Sequence, residues 1–201
     1  LKVRNPFLME CVNYSDGGYN EGNEAFESVE YIWDVLLTDG KTVYGTMSDD
    51  THVYAEEKDW YKNAFSETSN HFIQYVYKSF MKCHTPGNGF VMVNADLNEN
   101  SIKNALRRGD FYASNGLLAD CYEVTDKGIK VKIQKQNNEN NRIIFKGRMG
   151  LPLKIVDGDE AEYEFTGSFD EQYVRVKAIN GAYKTILFQP IFRDGRNKII
   201  E

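Results

Sequence analysis

Cysteine is sparse in this chain, and its three residues, Cys11, Cys83 and Cys121, are odd in number and far apart, with no C-x-x-C. That excludes a disulfide framework and a structural zinc knot, and the thiols read as reduced and partly buried. Cys83 stands beside His84, but adjacent side chains seldom reach one metal from a strand, so the pair is not read as a ligand set. Histidine is equally scarce: His52, His71 and His84 are all there are. No apolar run approaches the roughly 20 residues needed to span a bilayer. The amino terminus shows no charged-then-apolar signal pattern, and a cytoplasmic protein with no membrane partner is the expectation. Lysine and arginine form no cluster and the net charge is −6. Nucleic acid is therefore not expected as a partner, because binding a phosphate backbone needs a basic footprint.

A composition 41% hydrophobic and 13% aromatic over 201 residues is ample for a folded core of one large or two small domains. The chemistry concentrates in one stretch, Val43 to His52 (VYGTMSDDTH). Val43 and Tyr44 favour a strand, Gly45 allows close approach of a neighbour, and the run stops where Asp49, Asp50 and His52 begin. In an extended chain residues two apart point the same way, so Asp50 and His52 present a carboxylate and an imidazole to one side. Those are two ligands for a divalent transition metal. Taken alone, the same residues also suit a turn capped by Asp50 with His52 at the surface.

Around this stretch the spacing predicts alternating elements. Residues 7–14 read as a buried strand that carries Glu10 and Asn13 to its end, before a polar loop at 15–23. From 24 to 37, Phe26, Val29, Ile32, Trp33, Leu36 and Leu37 recur at helical spacing, with Asn23 as N-cap and Gly40 as terminator. This helix should cover the strand at 43–47, with Trp33 in the core. Helix leading into strand, with ligands at the strand's far end, is the grammar of α/β barrels. Residues 53–86 mix polar and aromatic side chains and read as a lid-like insertion with a helix at 69–81. His71 in that helix and His84 in a turn are not read as ligands. A strand at 90–94, a helix at 99–108 capped by Asn98 and closed by Gly109, and a strand at 111–114 follow. Arg107 and Arg108 in the last helical turn complement the helix dipole.

In order and spacing, four segments resemble the second half of a PHP (polymerase and histidinol phosphatase) domain, a family of metal-dependent phosphoesterases. They are the helix ending WDVLLTDG (33–40), the strand ending SDDTH (48–52), GNGFVMV (87–93), and SIKNALRRGDFYASNG (101–116). The resemblance covers about residues 8–116 and extends to the Q-P-I-F of 189–192. It implies a partial, distorted α/β barrel over 1–116. Asp50 would ligate metal and accept a proton from the attacking water, and His52 would be a second ligand. Asp49 would orient the ligands, and Asn115 would line the substrate pocket. The implied cofactor is one or more divalent ions, Zn, Mn or Fe, and the implied partner is a small phosphorylated substrate.

PHP domains also open with an H-x-H, and none occurs here. The metal site is therefore expected to be incomplete in this chain alone. Together with a start at Leu1, this leads to the expectation of a second half whose first half belongs to the same, longer protein or to another chain, or has been lost. The alternative is a non-catalytic ligand- or carbohydrate-binding module on a degenerate barrel.

After Gly116 the texture changes to short strands between turns, with Val131/Ile133 and Val174/Val176 alternating and Asn180-Gly181 as a hairpin signal. Residues 117–192 therefore read as a small antiparallel β-sandwich. The charged stretch 193–201 reads as a flexible tail.

Overall fold

The computed structural model describes residues 7–14, 19–51, 54, 71, 72, 75, 86–136 and 139–193. Strand β1 (Leu8–Asn13) is followed by helix α1 (Val29–Thr38) and strand β2 (Tyr44–Ser48). After the insertion come β3 (Phe90–Val93), α2 (Glu99–Arg108) and β4 (Phe111–Ser114). The remainder is almost entirely strand. It comprises β5 (Ala119–Val124), β6 (Gly128–Ile133), β7 (Asn141–Lys146), β8 (Pro152–Asp157), β9 (Glu160–Glu164), β10 (Tyr173–Asn180), β11 (Thr185–Phe188) and β12 (Ile191–Phe192).

These strands do not make the expected α/β barrel. Among the described residues only β1 and β2 run parallel, joined by α1. A larger antiparallel sheet is ordered β3-β4-β11-β10-β7-β8, with β12 on β10, and β5-β6-β9 form a third, antiparallel sheet. The physical reason lies at β4. One of its edges pairs antiparallel with β3 and the other takes β11 from the far end of the chain, so no parallel neighbour can continue a barrel. The chain is predominantly β, and the central sheet joins β3 and β4 from the expected barrel segment to β7, β8 and β10–β12 of the expected sandwich segment.

The central sheet has a layer on each side. Toward β5, β6 and β9 it presents Ile143, Phe145, Val174, Val176, Ala178, Ile186 and Phe188, which pack on Val131, Ile133 and Tyr163. Each fully buried valine, isoleucine or phenylalanine among them contributes about 1.5–3 kcal/mol. Toward α1 and the β1–β2 pair it presents Phe111, Ala113, Tyr173 and Leu187, which pack on Trp33, Leu37 and Met47.

Helix α1 starts later than its apolar periodicity suggests. Ser28 caps it, its Oγ accepting from the Tyr31 amide at 3.1 Å. Asn23 instead closes a local turn by accepting from the Ala25 and Phe26 amides, which leaves Phe26 68% exposed. Trp33 is fully buried, and its indole donates to the Val43 carbonyl at 2.8 Å. A Cβ at Gly45 would lie 2.8 Å from the Trp33 ring, so the glycine permits the helix to seat on β2. Gln189 joins the layers: its side-chain amide accepts from Gly45 N and donates to Gly45 O, both at 2.8 Å, in place of a strand neighbour for β2.

Helix α2 has the expected bounds. The Asn98 side chain accepts from the Ser101 amide at 2.9 Å, and the helix closes at Gly109 with φ 79°. Residues 71, 72 and 75 are helical, with His71 exposed and Phe72 72% exposed. The rest of the 53–86 insertion, His84, Cys83 and the tail beyond Arg193 lie outside the described residues. Cys11 is buried and Cys121 half-buried, both as free thiols. Burial pushes the Cys11 thiol up to about 12.

Candidate functional site

The parallel pairing of β1 with β2 aligns their carboxyl ends, Asn13 opposite Ser48. The amino end of β3 and the carboxyl end of β4 meet there as well, with Phe90 paired to Ser114. β11 begins at the same edge, where Asn115 exchanges backbone and side-chain hydrogen bonds with Thr185. Gly89 lies tight against β2: a Cβ there would come within 2.5 Å of the Ser48 carbonyl. This edge collects Glu10, Asn13, Asp49, Asp50 and Asn115.

Each of them is placed by a specific contact. Glu10 accepts from the Ser48 hydroxyl, and its backbone carbonyl accepts from the Asn20 amide at 3.0 Å. Asn13 donates weakly to Glu10, at 3.5 Å. Asp49 accepts from the Thr51 hydroxyl and from the Gly87 amide, each at 2.6 Å. Burial raises its pKa, but the bonds from Thr51, Gly87 and Asn88 outweigh burial and hold its carboxyl below the usual range. Asp49 thus ties the end of β2 to the segment that enters β3.

Asp50 is exposed and adopts the left-handed conformation, φ 46°, which Asp tolerates better than most residues. Asn115 is 7% exposed, and its amide is engaged with the turn before β11: Oδ1 accepts from Thr185 N at 2.5 Å and Nδ2 donates to Tyr183 O at 3.4 Å. His52, the second expected metal ligand, lies outside the described residues. Among the described residues no three His, Cys, Asp or Glu side chains are grouped to hold a metal ion. Glu10 and Asp49 already serve Ser48 and the Gly87 turn, so the described residues do not by themselves make a metal centre.

One contributor escaped the sequence reading. Lys184, in the turn before β11, sets its Nζ 5.2 Å from the Tyr14 ring centroid, bringing a cation to the acidic edge from the opposite end of the chain. Its only sequence signal is its place after Asn180-Gly181, which marks a turn and says nothing of what the turn faces.

At the other end of the same strands lies a cleft of about 1050 Å³. Arg107, Arg108, Tyr112 and Tyr122 help line it, remote from Asp50. Arg108 is paired with Asp110 at 2.7 Å. No helix among the described residues is long and apolar enough to cross a membrane. Comparison with family models, with curated proteins and with solved structures finds no match for this chain.

Proposed function

We propose that this chain carries one part of a metal-dependent phosphoesterase site at the carboxyl ends of β1 and β2, acting on a small phosphorylated substrate and related to the PHP enzymes its motifs resemble. The observation that supports this reading is the β1–α1–β2 unit, whose parallel strands bring Glu10, Asp49 and Asp50 to one end. A bound Zn, Mn or Fe ion would supply a water of lowered pKa. Asp50 and His52 would hold that ion, with further ligands from outside the described residues. Asp50 would also take the proton of the attacking water. Asp49, fastened to Thr51 and Gly87, fixes the backbone from which Asp50 projects. Lys184 at the rim offers a cation to a phosphate oxygen.

A second reading has its own support. The Asn115 amide is occupied by backbone, and no three of the described carboxylates, histidines or cysteines are grouped to hold a metal ion, which suits a non-catalytic ligand- or carbohydrate-binding module.

Elemental analysis of the purified protein beside its Asp50→Ala and His52→Ala variants, with hydrolysis of p-nitrophenyl phosphate in parallel, separates the two. Stoichiometric metal that falls in both variants, together with hydrolysis that falls with it, supports the phosphoesterase. A folded wild type that binds no metal and hydrolyses nothing refutes catalysis by this chain alone and leaves the binding module.

A further inference from the structure

A polar cavity of about 680 Å³ opens at the amino end of β7 and the carboxyl ends of β8 and β10, and the turn from β10 to β11 forms one wall. Three features of that wall are unusual together.

The first is Tyr183. It lines the cavity, its side chain is 80% exposed, and its backbone is left-handed at φ 59°, a costly conformation for an aromatic residue. The turn leaves it no freedom. Its amide donates to the Asn180 carbonyl at 3.0 Å, and its carbonyl accepts from Asn115. The Asn180 side chain is itself buried and accepts from the Ala182 and Lys184 amides at 3.0 and 2.9 Å. The result is a flat aromatic ring held out on a rigid support.

The second is Asn141, also in the lining and 2% exposed. Its Nδ2 donates to Asp159 at 2.8 Å, which fixes the orientation of the amide, and its Oδ1 has no hydrogen-bond partner. A buried acceptor without a donor costs about 1–3 kcal/mol; Oδ1 lies just beneath the cavity wall, and a small shift of that wall would let a ligand hydroxyl relieve it.

The third is charge. Arg142 and Asp157 neutralise each other through a two-point pair at 2.6 and 3.3 Å. That leaves the carboxylates of Glu139 and Asp159 against the ammonium of Lys135, an excess of one negative charge. The lining therefore offers mainly acceptors and disfavours anions.

An exposed ring on a rigid turn, a buried unpaired acceptor and acceptor-rich polar walls match the chemistry of a pyranose. Such a sugar has an apolar C–H face to lay on an aromatic ring and a girdle of hydroxyls to donate. We propose that this cavity binds a neutral saccharide, with Tyr183 as the stacking platform and Asn141 Oδ1 as a buried acceptor for one sugar hydroxyl. The proposal is independent of the phosphoesterase reading, since it concerns binding and involves neither Asp50 nor His52.

The test is a proton–nitrogen NMR titration of the intact chain with maltose, cellobiose, lactose and chitobiose, each repeated on Tyr183→Ala and Tyr183→Phe. Because Tyr183 is exposed and alanine keeps the same backbone requirement, Tyr183→Ala should fold as the wild type does. At least one saccharide is expected to shift the amides of residues 141, 158 and 180–184. Its affinity should fall about tenfold in Tyr183→Ala and be largely kept in Tyr183→Phe. The proposal is overturned if no saccharide of the panel shifts these amides, or if binding is the same in Tyr183→Ala. It is equally overturned if calcium chloride alone shifts them and the saccharides do not, which would make the acceptors a cation site.

Discussion

Along β10, Val174, Val176 and Ala178 turn toward β6 and β9, while Tyr173, Arg175 and Lys177 turn toward α1. One face of the central sheet is thus closed by hydrocarbon alone, while the other sets a cluster of ions beside its apolar contacts. Arg175 is fully buried, donates to Asp34 through Nε and Nη2, each at 2.6 Å, and reaches Glu30 at 2.8 Å. Lys146 and Lys177 reach Glu30 at 3.0 and 2.6 Å, and the Tyr173 hydroxyl donates to Asp34 at 2.8 Å. The Arg175 guanidinium also lies 4.6 Å from the centre of a Trp33 ring. The directional bonds of this ion cluster suit one register of α1 against β10, an orienting role that the substitutions below test. Both faces bury apolar surface, and the ions add directional contacts to the helix that, through Trp33 and Gly45, also seats the end of β2.

The sharpest way to break that contrast is to remove one ion and leave its partners. Asp34→Ala strips Arg175 of its main partner, and loss of one member of a buried pair costs about 3–5 kcal/mol. Urea unfolding followed by circular dichroism should show that loss. The double change Asp34→Leu with Arg175→Met removes charge and countercharge together, and it should recover most of the loss. A double variant as unstable as the single one would mean that the cluster stabilises the fold and does not merely orient it.

On the opposite face, Ile143→Ala should cost about 2–5 kcal/mol by the same assay, through lost burial and a cavity between β7 and the β6–β9 layer. No second substitution of charge should rescue it. The two faces should also differ in acid. Burial raises the Glu30 pKa, but Arg175, Lys177 and Lys146 outweigh it and hold the carboxyl far below the usual carboxylate range. A depressed pKa contributes stability that is present above the unfolded value, about 4.3, and is lost as pH falls toward the folded value. Below about pH 4 this one group should cost up to about 1.4 kcal/mol per pH unit. Stability measured between pH 6 and pH 3 should therefore fall more steeply in the wild type than in Glu30→Gln, whereas Ile143→Ala should keep the wild-type slope.

The same contrast accounts for what could be read from the sequence. Val131/Ile133 and Val174/Val176 alternate with period two and lie in strands, because an apolar layer leaves its period in the chain. Asn98 and Gly109 mark the ends of α2 because caps act locally. Arg175 and Lys177 occupy the other half of the same alternation, and nothing in their neighbours announces that Glu30 and Asp34 lie across from them. The barrel expectation failed for a similar reason. Helix following strand is a local pattern, but the choice between a parallel and an antiparallel neighbour for β4 is made by β11, over 70 residues later. At the acidic edge, the sequence marked Asp49 and Asp50 by type. That Asp49 would fasten to Gly87, and that Lys184 would arrive beside Tyr14, depend on long-range pairing. Strand β8 leaves little signal in the sequence, because Pro152 and the charged residues at 154 and 157 interrupt its pattern, as befits a strand at the sheet's edge.

Helix α2 belongs to neither face and should show the smallest effect. Only Ala105 is buried in it, with Leu106 touching the α1-side core, so its ends depend on capping more than on packing. Asn98→Ala removes the acceptor for the Ser101 amide and should cost about 1 kcal/mol, while Asn98→Ser should restore most of it. The loss should appear as faster hydrogen exchange of amides 99–103, with those of β10 unchanged. If exchange in β10 rose equally, α2 would be coupled to the central sheet as tightly as α1 is, and the division between a helix locked by buried ions and one held by its caps would fail.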